Sequence, residues 1–347
     1  MNYVFCAGYK MLLFALYLKN VLDKEIVIVT YSTDVVEFCR AEKIDYIQIY
    51  QFRPHISSIL KLIAFKKILD EVIIKIDMHK EDTFFVTSKT ISYELFYLVK
   101  ELSKKGNLYF VPTMRELKIF KSPYYKPFIR GIIYKLIIKI ILGLDVMYYE
   151  SNKEPRMGID NNFMKKYNIK EFTLDLPFEE LIFEAVKKNK MRYKSYDNLF
   201  IDSGIVDEII VADSEKKLYK NLFELSIEFA FKKCPKSHKY TEEREMADSA
   251  YYARFNNCEE LPRYLPVELF YNNIRKNVVS AFSTALITAS KFDHLKAISL
   301  LELVDWYHES YKKEFKDHLI EESKNKIIFP KSFKELKEIL LNDIVLN

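Results

Sequence analysis

The sequence predicts an α/β protein of two Rossmann-like domains facing a central cleft. Three observations predict it. Short apolar runs of strand length alternate with helical patterns through the first half of the chain. A polar, lysine-rich stretch at 187–198 interrupts the alternation, and a second alternating unit opens at Leu199. The 347 residues are enough for two domains, each with its own core. The expected division is 1–190 for a first Rossmann-like domain and 191–347 for a second. The last helices are expected to pack back on the first domain.

The elements follow in order. Residues 3–6 read as a strand, Gly8 as a break, and 11–22 as a helix. Residues 25–29 form an apolar run of strand length, 35–41 a helix and 46–50 a strand. A helix at 59–69 is followed by an apolar run at 71–76 that reads as a strand. Strands at 84–86 and 108–111 flank a helix at 93–102. This is the βαβ signature of a mostly parallel sheet covered by helices on both faces. In the second unit, 199–202 reads as a strand, 215–231 as a long helix and 278–282 as a buried strand. Residues 293–307 and 311–321 read as helices.

Composition narrows the function classes. A chain 49% hydrophobic and 30% charged has the balance of a globular protein, not a disordered one. The net charge of +5 permits an anionic partner without requiring one, and no Arg-rich run or zinc-finger spacing points to nucleic acid. The four cysteines, Cys6, Cys39, Cys234 and Cys258, form no C-x-x-C pair, and no secretory signal is visible. A reducing cytoplasm is the expected compartment, and no metal site is expected.

No stretch reaches the roughly 18 uncharged apolar residues of a membrane span. The nearest approach is 128–146, whose isoleucines form a broad stripe with Lys135 and Lys139 on another face. It reads either as a core-facing helix or as an interfacial one. With Lys121, Lys126 and Arg130 it predicts a basic rim that brings the protein to the inner face of an anionic membrane.

No G-x-G-x-x-G or G-K-[ST] loop is present, so neither a dinucleotide fingerprint nor a P-loop is supported. Three second-domain segments carry candidate chemistry instead. Residues 231–239 combine Lys232, Lys236 and His238 with Cys234 and a loop-stiffening Pro235, a set suited to receiving a phosphate or a carboxylate, or simply a solvated basic loop. Residues 278–286 run from an apolar strand into Ser283 and Thr284 at a helix start. There hydroxyls and backbone N–H groups can cap the helix, cradle a phosphate, or both. Residues 261–268 hold two prolines and end at Glu268, placed to accept ribose hydroxyls or to complement a helix dipole.

The order and spacing of these segments resemble those of bacterial sialyltransferases that build lipooligosaccharide and capsule, glycosyltransferase family 52. The opening residues 3–6, with Met11, Leu12 and Leu13, are similar to that family's first strand and helix. The resemblance implies a glycosyltransferase B (GT-B) fold and a CMP-activated sialic acid or related nonulosonic acid as donor. Residues 232–236 would be the family's basic, His and Pro motif, with Cys234 where the histidine is expected. The segment ending at Glu268 would hold the nucleotide, and Ser283 with Thr284 its phosphate. The acceptor would be a cell-surface glycan or glycolipid, a homodimer is an expected assembly, and no cofactor or metal is required beyond the CMP-sugar donor.

The chain departs from the family in its first domain, where an acidic pair and a glycine are expected near 111–116 and only Glu116 offers a carboxylate. The general base is therefore sought among Asp77, Glu81, Asp82 and Glu116, with His238 as a further catalytic candidate. Two other readings stand beside transfer from a CMP-linked donor. One is a glycosyltransferase using another nucleotide sugar; the other is a degenerate relative that binds glycans or protein partners.

Overall fold

A computed structural model describes residues 1–49, 59–87, 93–112, 129–144, 161–173, 175–189, 191, 193–202, 209–225, 227–233 and 258–341. Glu116, Cys234, Pro235, Lys236, His238, Lys121 and Lys126 lie outside the described residues. The chain divides into two compact units, with the boundary between Leu181 and Ile182.

The first unit is a parallel sheet. Its strands are β1 (Asn2–Phe5), β2 (Ile26–Thr30), β3 (Tyr46–Gln48), β4 (Thr83–Thr87), β5 (Asn107–Val111) and β6 (Ile169–Glu171). They lie in the order β3-β2-β1-β4-β5-β6, every described pair parallel. This is the Rossmann order. Central strands in such a sheet are covered on both faces, which is why they read as unbroken apolar runs. Val4, Ile28, Val29, Phe84 and Val86 have no exposed surface.

Helices α1 (Tyr9–Asn20), α2 (Thr33–Ala41), α3 (Ile59–Ile76), α4 (Tyr93–Leu102), α5 (Ile129–Leu142), α6 (Asn161–Lys166) and α7 (Phe178–Lys188) connect and cover the sheet. Helix α1 is buried all round from Met11 to Leu18, so its sequence shows no polar face. Phe14 packs edge-on against Phe85 and Phe172, at 5.5 and 5.8 Å between ring centres. A second cluster gathers Leu62, Phe65 and Leu69 of α3 with Leu95, Leu98 and Leu102 of α4. Ile138 and Leu142 of α5 join the same cluster.

The second unit repeats the plan. Strands β7 (Tyr196–Ile201), β8 (Phe229–Lys232), β9 (Cys258–Glu260), β10 (Ile274–Ser280) and β11 (Lys296–Ser299) are parallel, in the order β11-β10-β7-β8-β9. Helix α8 (Ala212–Phe223), a 3-10 helix (Val267–Asn273), α9 (Ala285–Ala289), α10 (Glu309–Ser323) and α11 (Phe333–Leu341) accompany them. Phe200 stacks on Phe231, with Tyr219 and Phe223 edge-on to it. Phe315 of α10 rests on Phe282, at 4.0 Å between ring centres, so that helix packs within the second unit.

Three expected elements are corrected. Residues 71–76 are the last turns of α3, not a strand: Val72, Ile73 and Ile76 continue the buried helical face, while Ile74 is 73% exposed. A short apolar run cannot by itself separate a strand from a buried helix end. The helix expected over 215–231 ends at Phe223, and 229–232 form β8 because Phe229, Ala230 and Phe231 are buried on both faces of the sheet. The helix expected over 293–307 is replaced by β11, whose Ala297, Ile298 and Ser299 are buried beside β10.

Candidate functional site

In each unit the strand order reverses at one place, and open parallel sheets bind ligands there, beyond the carboxyl ends of the strands. In the second unit that place lies between β7 and β10. The Ser280 hydroxyl donates to the Ile201 carbonyl at 2.9 Å and ties the two strand ends together. Asp202 follows β7, and its N–H reaches the Lys232 carbonyl at 2.9 Å. Ser283 and Thr284 follow β10, both half-buried. The Ser283 hydroxyl accepts the Ala285 N–H at 3.2 Å, a hydroxyl turn at the entry to α9; Thr284, the N-cap residue, makes no side-chain cap bond, so the expected capping by Ser283 is corrected.

The proline-bounded segment comes to the same edge. The Lys232 side chain, at the end of β8, is buried and its ammonium donates to the Pro262 and Arg263 carbonyls at 2.9 and 2.7 Å. Leu261 N–H bonds the Phe231 carbonyl at 2.8 Å. The chain then enters the 3-10 helix, in whose first turn Glu268 is buried. Tyr271 of that helix donates its hydroxyl to the Ala285 carbonyl at 2.8 Å. The structure thus joins Lys232 to the 261–268 segment, and the 3-10 helix that follows to Ala285, next to the Ser283–Thr284 pair. Lys233 beside them is buried and pairs with Glu260 at 2.9 Å. Just past β11, Lys312 and Lys316 bond Glu302 at 2.8 and 2.7 Å, and those bonds lower the Glu302 carboxyl below its ordinary range.

In the first unit the reversal lies between β1 and β4. Asp77, Glu81 and Asp82 are not there. They occupy the turn between α3 and β4, at the amino end of the strand, so the premise that Asp77 ends a strand is corrected. Asp77 takes a left-handed φ of 42°, its carboxylate is 81% exposed, and His79 Nε2 lies 3.8 Å away. Asp82 accepts the N-terminal ammonium at 2.7 Å and the His79 N–H at 2.9 Å, and the ammonium holds its carboxyl below the ordinary value. Gly106 shows how tightly this turn is packed. A Cβ there would stand 2.5 Å from Met78 Cε and 2.6 Å from the His79 carbonyl. These contacts give Asp82 a structural task.

The carboxyl edge of the first sheet holds other groups. Thr30 Oγ1 donates to the Cys6 carbonyl at 2.6 Å and accepts the Ser32 N–H at 3.0 Å. Gly8 precedes α1 in an extended conformation, with open space where a Cβ would stand. Glu94 is wholly buried in the first turn of α4. Burial, and secondarily the Glu94 charge, raise the Tyr31 hydroxyl above its ordinary value. Sequence reasoning missed Glu94 because its place follows from the strand order. The only local signal is an acid set among apolar residues after a strand.

Among the described residues, no group of three or more His, Cys, Asp and Glu side chains is placed to hold a metal ion. Among them also, no helix is long and apolar enough to cross a membrane.

No protein-family model matches the chain, and a search of curated proteins finds no match. Solved structures do resemble it. The S. aureus MnaA–UDP co-structure shares 12% identity over 97% of this chain and 94% of that one, with a TM-score of 0.48. The UDP-GlcNAc 2-epimerase of Methanocaldococcus jannaschii shares 12% over 98% of each chain, with a TM-score of 0.43. Glycyrrhiza uralensis UGT73P12, complexed with glycyrrhetinic acid 3-O-monoglucuronide, shares 9% over 98% of this chain and 86% of that one, with a TM-score of 0.42. The expected CMP-sugar donor is overturned here: UDP is the nucleotide named for the first two, and CMP is named for none of the three. The chain carries the two Rossmann-like α/β domains of a GT-B-type fold.

Proposed function

We propose that the chain is a glycosyltransferase that uses a nucleotide-linked sugar other than a CMP-sugar, and that its nucleotide lies over the carboxyl edge of the second sheet. The observation that carries this is that, at the carboxyl edge of the second sheet, the Lys232 ammonium at the end of β8 holds the Pro262 and Arg263 carbonyls, and Tyr271 bonds the Ala285 carbonyl next to the Ser283–Thr284 pair. Backbone N–H groups and hydroxyls at 283–284 suit an anionic phosphate, which carries the negative charge that grows as the sugar departs. Glu268 suits the ribose hydroxyls as an acceptor. Cys234, Pro235, Lys236 and His238 would add to the phosphate side.

The reaction is displacement at the anomeric carbon by an acceptor hydroxyl whose proton passes to a carboxylate. The bond from sugar to nucleotide breaks, the bond from acceptor oxygen to sugar forms, and the nucleotide leaves with the electron pair. Glu94 and Glu116 are the first-unit carboxylates to test as that base. A glycan or glycolipid is the acceptor class, and a homodimer is a proposed assembly.

A donor panel tests the reading. At about 100 Kd of a true nucleotide, binding adds about 2.7 kcal/mol, or roughly 5–10 °C in Tm for a domain of this size. UDP-, GDP- and dTDP-sugars are compared, UDP-linked sugars first. Release of the free nucleotide with a glycan acceptor present is then followed by mass spectrometry. A flat Tm across the panel rejects the placement. Binding without turnover on any acceptor supports a degenerate glycan-binding or partner-binding relative instead.

A further inference from the structure

We propose that the outward faces of α3 and α5 form a docking surface for an anionic lipid bilayer. This is a property of the first unit alone, and it does not rest on the proposed chemistry.

Helix α3 is amphipathic in an unusual way. Its inner arc, Leu62, Phe65, Leu69, Val72, Ile73 and Ile76, is buried in the core. Its outer arc is also aliphatic. Leu60 is 81% exposed, Ile63 42% and Ile74 73%. At about 100° per residue these three fall within roughly 60° of one another, on the side opposite the core. On α5, Leu136 is 54% and Ile140 80% exposed, while Ile138 and Leu142 enter the same core cluster as α3. The two helices therefore cover one side of the sheet with large aliphatic side chains facing water. Most exposed aliphatic residues of a folded protein occur singly; a set of this size marks an interaction surface.

Charge selects the partner. Lys61, Lys67 and Lys75 are exposed on α3 among these aliphatic groups. The α3 acids offset them little: Asp70 is held by Lys66 at 2.7 Å, leaving Glu71 on the outer arc. Helix α5 has three basic residues and no acidic one, with Lys139 exposed beside Ile140. Protein–protein interfaces are depleted of lysine. A bilayer surface accepts both groups at once, since aliphatic tips enter the acyl boundary while ammonium groups reach the headgroup phosphates. The sequence puts the expected membrane contact on the basic rim from Lys121 to Lys139; the proposed surface adds the exposed aliphatic groups of α3.

The test uses the full chain in co-sedimentation with vesicles of pure phosphatidylcholine and vesicles of about 70% phosphatidylcholine and 30% phosphatidylserine. The expected result is at least about tenfold stronger partition onto the anionic vesicles, reduced by salt, from roughly fivefold per lysine at the surface. The variants L60S/I74S/I140S and K61Q/K67Q/K75Q alter exposed positions, so each should keep the wild-type Tm and lose at least about tenfold in partition. Three outcomes overturn the proposal: no stronger binding to anionic than to neutral vesicles, wild-type partition in both variants, or a wild-type dimer in velocity sedimentation that L60S/I74S/I140S dissociates. The last would assign the face to a second copy of the chain.

Discussion

Replacing Lys232 by methionine tests how the carboxyl edge of the second sheet, where the nucleotide is proposed to lie, is built. Its ammonium is buried and holds the carbonyls of Pro262 and Arg263, at 2.9 and 2.7 Å. Methionine keeps most of the volume, so packing in β8 changes little. What is lost is a pair of charge-assisted hydrogen bonds, each worth about 1.5–3 kcal/mol. Two effects offset part of that loss. The desolvation cost of a buried ammonium disappears, and the two carbonyls belong to half-buried residues and regain some water. The net expectation is a destabilisation of about 2–3 kcal/mol, with a fall in Tm of roughly 4–12 °C for a domain of this size. Freed from its anchor, the 261–268 segment should also hold a nucleotide less well, by at least about tenfold in Kd, or about 1.4 kcal/mol. Differential scanning calorimetry reads the first effect and titration calorimetry with UDP the second. A K232M protein whose Tm lies within about 2 °C of wild type and whose UDP affinity is unchanged refutes this account of the edge.

Other outcomes follow from the same contacts. The double variant S283A/T284A should fold and weaken nucleotide binding by about 1–3 kcal/mol, read by titration calorimetry; unchanged affinity would move the phosphate elsewhere. E94Q and E116Q are compared for turnover at saturating donor. The true base should lose at least about 100-fold while retaining nucleotide affinity, and wild-type rates in both would exclude them. Glu302 is bonded by Lys312 and Lys316, which lower its carboxyl pKa in the folded chain. A depressed carboxylate contributes stability above its unfolded pKa, about 4.3, and loses it as pH falls through the folded value. E302Q should therefore melt below wild type at pH 7, and the gap should close as pH drops below about 4. A gap constant from pH 7 to pH 3 would contradict the assignment.

How much of this was legible in the sequence depends on the range over which each feature is decided. Parallel strands buried on both faces announce themselves locally, which is why 3–6, 25–29, 84–86 and 278–282 read correctly as strand segments. The apolar run at 71–76 has the same composition, and only its continuation of the Leu62–Leu69 spacing marks it as helix. That error carried the base assignment to the wrong end of β4, because Asp77 appeared to end a strand. In the second unit, order alone singles out the segments around Lys232, Glu268 and Ser283 as candidates, and nothing local shows that Lys232 binds the carbonyls of Pro262 and Arg263, some 30 residues away. Glu94 was invisible for a related reason. An acid in a first turn is ordinary until β4 is known to lie beside β1.

The pairing of β7 with β10 also dictates when the second unit can exist. Asn198 and Asn277 face each other across these central strands, their side-chain amides bonded at 2.7 Å, although 79 positions separate them in the chain. Until the ribosome has released β10, β7 presents an unpaired apolar edge on one side, with β8 as its only partner on the other, the kind of surface that recruits other chains. The first unit meets the same problem on a similar scale, since Tyr3 pairs with Phe84. Both sheets are thus finished from their centres late. Closing such distant pairs is slow by topology alone, so a chain cut between β9 and β10 should aggregate rather than fold to half a unit.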